Sequence, residues 1–160
     1  MIQIYNPARE IEDLLRVRVT RVQLIDGNVQ TDVEYEGQPR RISEEPEQVF
    51  SALRVTDGKL IGAELRGRDM YYTLAEIGQL YTRPGFLERD WLERDGRMRA
   101  LTGVRLAGDG VDYEVMDGGR PDVIHESEVS VLRKLRILGV RLKGAEFRDG
   151  TGYYTVVESN

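Results

Sequence analysis

The chain contains no cysteine. Disulfides, thiolate metal sites and thiol nucleophiles are therefore excluded. It has a single histidine, His125. No second imidazole can complete a transition-metal site, and no serine–aspartate context surrounds it. A lone histidine close to a helix start reads as a cap or a surface residue rather than a catalyst. Long apolar runs are missing too, and none approaches the roughly 20 residues that a membrane-spanning helix needs. The start, Met1-Ile-Gln-Ile-Tyr-Asn-Pro7, has no basic region followed by an apolar core, so no signal peptide is expected there. The expected location is the cytoplasm of a bacterial or phage-infected cell.

The chemical motifs that announce common activities are also missing. There is no Gly-x-x-x-x-Gly-Lys-Ser/Thr loop, no Gly-x-Ser-x-Gly elbow and no Asp-x-Asp-x-Asp-Gly cation loop. The Gly108-Asp-Gly110 turn carries an acid, which suits a hairpin and repels phosphate. No cofactor and no metal are expected. Lysine is scarce: 20 of the 23 basic residues are arginine, against Lys59, Lys134 and Lys143. Arginine suits bidentate anion recognition, although a G+C-rich coding sequence gives the same bias. The formal net charge is −5, which argues against a nucleic-acid partner. Arg89, Arg94, Arg97, Arg99 and Arg105 with Trp91 form the most basic stretch, but Glu88, Asp90, Glu93 and Asp95 interleave with them. That stretch reads first as a solvated amphipathic connector, with single-stranded nucleic-acid binding as the alternative.

What is present is an internal duplication. Thr20–Thr73 lies on Thr102–Thr155 at an offset of 82 residues without a gap, and 20 of the 54 positions are identical. Chance would give about 3 or 4. Each copy reads as strand, strand, helix, strand, strand. Val17–Ile25 alternates with one slip that suggests a bulge, Asp26-Gly27-Asn28 is a hairpin signal, and Val29–Tyr35 returns. Leu101–Leu106 and Val111–Val115 repeat this pattern around Gly108-Asp109-Gly110. Gly37-Gln38-Pro39 and Gly119-Arg120-Pro121 read as tight loops, each followed by a short apolar contact at Ile42 or Ile124.

A helix then begins at Ser43 or Glu45 with Pro46 in its first turn and Val49, Phe50 and Leu53 as its apolar stripe. Its counterpart carries Glu126 and Glu128 in its first turn and buries Val129, Leu132 and Leu135, or Val131 and Leu135. The best-matched block follows: Leu60-Ile-Gly-Ala-Glu-Leu-Arg66 and Leu142-Lys-Gly-Ala-Glu-Phe-Arg148, with turns at Gly67-Arg68-Asp69 and Asp149–Gly152. Tyr71-Tyr72-Thr73 and Tyr153-Tyr154-Thr155 begin the last strands. Outside the repeat, Pro7–Leu15 reads as a helix capped by Asn6. Ala75–Tyr81 and Phe86–Asp95 read as helices broken at Arg83-Pro84-Gly85.

These elements predict an α+β fold: two β-β-α-β-β units related by a pseudo-two-fold axis, mainly antiparallel, as in a fused homodimer. Residues 1–81 hold the first repeat with an N-terminal helix. Residues 82–160 hold the connector and second repeat, the whole packing as one unit. Gly62/Gly144 and Ala63/Ala145 suggest close packing or a bulge. Glu64, Arg66, Glu146 and Arg148 alternate on one strand face. With one tyrosine of each pair, taken as Tyr72 and Tyr154, they form the candidate ligand-binding set in a groove between the repeats. The expected function is a non-enzymatic binding or protein-interaction module, monomeric or homodimeric, for a protein or small ligand. The alternative is an enzyme using Glu64/Glu146 with Tyr72/Tyr154 as acid–base groups.

Overall fold

A computed structural model describes residues 1–81 and 99–159. Most of them lie in antiparallel strands, with three helices among the described residues, so the class is broadly α+β. No helix among the described residues is long and apolar enough to cross a membrane. The chain divides into two units: residues 1–77 with 136–139, and residues 78–135 with 140–160.

The first unit runs β1 (Ile2–Pro7), α1 (Ala8–Leu15), β2 (Arg18–Ile25), β3 (Asn28–Tyr35), β4 (Gln38–Glu44), α2 (Pro46–Leu53), β5 (Val55–Thr56), β6 (Lys59–Arg66) and β7 (Asp69–Ala75). A short strand from late in the chain, β12 (Ile137–Leu138), pairs with β1. Its sheet has the order β12-β1-β7-β6-β2-β3-β4. The sequence explains the local choices. Asp26 and Gly27 both take positive φ, as a two-residue hairpin turn requires. The slip in the β2 alternation is a bulge between Val19 and Arg21, which lets Val19 and Val22 both point inward. Pro46 opens α2, and Glu45 forms a capping box with Gln48. Val19, Val22, Val29, Val33, Val49, Met70 and Tyr72 are buried together, with Ile11 and Leu53 packed on them. The opposite sheet face is polar.

The second unit holds β8 (Gln79–Tyr81), β9 (Arg99–Ala107), β10 (Gly110–Asp117), β11 (Arg120–Ser127), α3 (Glu128–Leu135), β13 (Val140–Arg148) and β14 (Thr151–Glu158). β10 lies between β9 and β11, and β14 lies between β13 and β8. Leu80, Val111, Tyr113, Val115, Val131 and Tyr154 are almost fully buried.

Three expectations are corrected, and one choice between alternatives is settled. Gly37-Gln38-Pro39 is not a loop leading to a short contact. The turn closes at Glu36-Gly37, both at positive φ, and Pro39 sits inside the full strand β4. Proline is tolerated there because β4 is the edge of the sheet and needs no outward N–H. β11 likewise carries Pro121 at an edge, so three strands, not two, lead up to each of α2 and α3. Ala75–Tyr81 is not helical: Glu76 takes positive φ, which ends β7, and Gln79-Leu80-Tyr81 is a strand with Leu80 buried. Pro7 ends β1 and caps α1 without a side-chain bond from Asn6. Of the two stripes considered for α3, the one through Val131 is buried, and Val129 is exposed. The helix expected over Phe86–Asp95, with Trp91, Arg89, Arg94 and Arg97, lies outside the described residues.

Candidate functional site

The turn between β6 and β7 is Gly67-Arg68, two residues long, so Arg66 pairs with Asp69, Glu64 with Tyr71 and Gly62 with Thr73. Directly opposed residues share a face. Glu64, Arg66 and Tyr71 therefore stand together on the polar face, and Tyr72 points into the core. β1 lies on the other side of β7, with Gln3 opposite Thr73 and Tyr5 opposite Tyr71. The result is a continuous array. Arg66 Nε lies 3.1 Å from Glu64 Oε1, and its Nη2 donates to Gln3 Oε1 at 3.1 Å. Its guanidinium lies 3.5 Å from the centre of the Tyr71 ring, which stacks on Tyr5 at 5.5 Å. Gln3 Nε2 donates to Thr73 Oγ1 at 3.4 Å.

The second unit carries the same residue types in the same roles. Glu146 pairs with Tyr153 across the hairpin, and β8 places Gln79 opposite Thr155 and Tyr81 opposite Tyr153. Arg148 Nε lies 3.2 Å from Glu146 Oε1, and its Nη2 donates to Gln79 Oε1 at 2.7 Å. The guanidinium lies 3.9 Å from the Tyr153 ring centre, and the Tyr81 and Tyr153 rings are 5.8 Å apart. Gln79 Nε2 donates to Thr155 Oγ1 at 3.1 Å and to Glu146 Oε1 at 3.2 Å.

Both ion pairs are about half exposed: 46% and 53% for Arg66 and Glu64, 49% and 50% for Arg148 and Glu146. Each arginine spends its Nε and Nη2 on its partners and one face on tyrosine, leaving further N–H donors for a ligand.

Of the six residues chosen from the sequence, Glu64, Arg66, Glu146 and Arg148 stand in these arrays. Tyr72 and Tyr154 lie on the opposite sheet face. Burial, then the nearby Glu44 charge, pushes the Tyr72 hydroxyl up to about 12. Burial also drives Tyr154 above its ordinary value, and its hydroxyl lies 2.7 Å from that of Tyr113. The Glu–Tyr acid–base pairing considered from the sequence is thus not formed within either unit. The residues missed were Gln3, Tyr5, Gln79, Tyr81 and the outward tyrosines. A signal for the strands was there: Gln3-Ile-Tyr5 and Gln79-Leu-Tyr81 are alike but 76 residues apart, so an ungapped comparison at 82 passes over them. Gly62 and Gly144 sit at register shifts of their hairpins, which supports the bulge reading.

His125 lies on the surface of β11, not at a cap. Its Nδ1 is 2.7 Å from Asp112 Oδ1 and its Nε2 is 2.7 Å from Asp109 Oδ1. Ionised carboxylates only accept, so this geometry calls for an imidazolium with both nitrogens protonated. The bond to Asp112, then that to Asp109, raises the His125 pKa. Its stabilising contribution is therefore complete below the ordinary histidine pKa and lost as pH rises through the raised value. An NMR titration of the imidazole should place its midpoint above 6.5. Asp112→Asn should lower it more than Asp109→Asn, and an unshifted midpoint in the wild type would contradict the assignment. Among the described residues no group of three or more His, Asp or Glu is arranged to hold a metal ion.

The remaining arginines of the basic stretch that are described are paired. Arg99 lies 3.4 Å from Asp117, and Arg105 lies 3.4 Å from Asp112 and 3.6 Å from Glu114. The chain matches no protein-family model, no curated protein and no solved structure.

Proposed function

We propose that the protein is a non-enzymatic interaction module made of two copies of one unit, each offering its exposed Gln–Tyr–Tyr–Arg–Glu array to a protein or peptide partner. The ungapped repeat, and the recurrence of bulge, helix and hairpin at the same spacing, support the duplication. One observation carries the functional reading: the same array is assembled twice, with the same partners, on solvent-facing strands. Exposed ion pairs of this kind contribute below about 1 kcal/mol each, so stability gives little reason to keep them. Tyrosine and arginine are the side chains over-represented where proteins bind one another. Each array is complete within its own unit, so the reading needs no groove between the repeats.

The test is selection of a random displayed-peptide library on the wild-type chain, in parallel with a variant carrying Glu64→Ala, Arg66→Ala, Glu146→Ala and Arg148→Ala. Peptide families enriched on the wild type alone support the arrays as the binding surface. The same families on both proteins would remove the assignment.

A further inference from the structure

The outer strand β4 is seven residues long and has β3 on one side only. The turn Glu36-Gly37 makes Tyr35 and Gln38 a hydrogen-bonded pair, so Gln38, Arg40, Ile42 and Glu44 turn their backbone groups toward β3. Arg41 and Ser43 turn theirs outward, and among the described residues no hydrogen bond reaches either amide. Long edges are usually blunted by charge or proline. Pro39 blunts only the end beside the turn and leaves the rest of β4 open. Ile42 packs on the core with one side still exposed. Arg40 and Glu44 flank it on the same sheet face, and neither has an ion-pair partner among the described residues. They stand about 13 Å apart along the strand, too far to pair within one chain.

We propose that β4 is a self-association edge, through which two copies of the chain pair antiparallel about a two-fold axis at Ile42. In this register Arg41 and Ser43 of each copy exchange backbone hydrogen bonds with Ser43 and Arg41 of the other. Ile42 meets Ile42 at the axis and covers the open margin of the core. Arg40 of each copy stands directly opposite Glu44 of the other, a favourable cross-strand pair made twice by symmetry. The ladder ends where no bond is wanted. Pro39 would face Glu45, whose amide already donates to Gln48 Oε1 at 2.8 Å. Sliding the register one way sets Arg41 against Arg41, and the other way sets Ile42 against Glu44. The charges therefore select the register that the backbone permits.

The second unit shows the same edge closed. At the 82-residue offset Arg40, Ile42 and Glu44 become Asp122, Ile124 and Glu126. The same register on β11 would set Asp122 against Glu126, like charge on like. Asp122 Oδ1 also accepts from the Val123 amide at 2.8 Å, which occupies an outward donor. Pairing β4 with β11 isoleucine to isoleucine fares no better, because it sets Glu44 against Asp122. Association through β4 is thus isologous and stops at two copies.

The experiment is sedimentation velocity on the full chain from about 1 to about 500 µM, with circular dichroism to check that each variant stays folded. The wild type should pass from monomer to dimer with a Kd between about 1 and about 100 µM. Arg40→Glu and Glu44→Arg each set like charges opposite one another and should weaken the dimer about tenfold or more. Mixing the two variants should restore a dimer of wild-type strength, since each then offers the other the opposite charge. The double variant should pair with itself again. The proposal fails if the wild type stays monomeric throughout, if both single variants dimerise as the wild type does, or if neither mixing nor the double variant restores pairing. Oligomers that keep growing with concentration would show head-to-tail pairing and overturn it as well.

Discussion

Gly110→Ala is expected to lower the unfolding free energy by about 3 kcal/mol, the upper end of the usual cost of overpacking. Gly110 opens β10 and pairs with Ser127, the last residue of β11. An added Cβ would overlap the Glu126 carbonyl oxygen and stand 2.9 Å from both Glu126 C and Ser127 Cα. All three atoms are backbone, so no rotamer change relieves the clash. The strands must part where α3 begins, and the Glu128 amide that donates to the Asp109 carbonyl at 2.8 Å moves with them. Gly144→Ala is the matched control. Its nearest neighbour would be Thr155 Cβ at 3.7 Å, an ordinary contact, so its stability should stay within about 1 kcal/mol of wild type. Denaturant unfolding of the two variants separates these outcomes. Equal stability would show that β10 and β11 are not held this closely.

The second large effect is expected at Glu126, with a loss of about 3 kcal/mol on substitution by alanine. Its carboxylate accepts from the Tyr113 hydroxyl at 2.9 Å and from the Ser130 hydroxyl at 2.8 Å, and it pairs with Lys134 Nζ at 2.8 Å. Its side chain is 12% exposed. One residue of β11 thus ties α3 to the core of the second unit. Tyr113 in turn meets the buried Tyr154 hydroxyl. Desolvation, then the nearby Tyr154 and Glu126, holds Tyr113 far above its ordinary pKa, so it remains a donor at any working pH. Tyr113→Phe should cost less than Glu126→Ala, because Ser130 and Lys134 keep their acceptor. Tyr154→Phe should cost least, about 1 kcal/mol, because Tyr113 still reaches Glu126. Thermal unfolding in the reverse order would mean that the network does not carry α3.

Much of this architecture was legible in the residues, and the misreadings have physical causes. The β2 bulge, the Asp26-Gly27 hairpin turn and the Pro46 start of α2 follow from local rules, because each rests on neighbours in sequence. The edge strands β4 and β11 do not, since a proline is acceptable only where a strand lacks a further neighbour, and that depends on sheet order. The site turned on a single residue. With Asp69 read as part of the turn, Tyr72 falls beside Glu64; with the two-residue turn Gly67-Arg68, Tyr71 does. A one-residue shift of register exchanges the two sheet faces, so it moves a tyrosine from the core to the array. β1 and β8 were harder still. The tyrosine-bearing strands they pair with, β7 and β14, lie more than 60 residues away, and their shared Gln–apolar–Tyr triplet falls off the repeat spacing.

The measurement that bears most directly on the interaction reading is a binding titration with the peptides selected on the wild type, run on the variant lacking Glu64, Arg66, Glu146 and Arg148, with its Tm recorded in parallel. Binding should weaken at least a hundredfold, while the Tm falls by less than about 8 °C, since exposed pairs and ring contacts hold little of the fold. Unchanged peptide affinity with a collapse in Tm would contradict the account and make the two arrays a means of holding the sheets together.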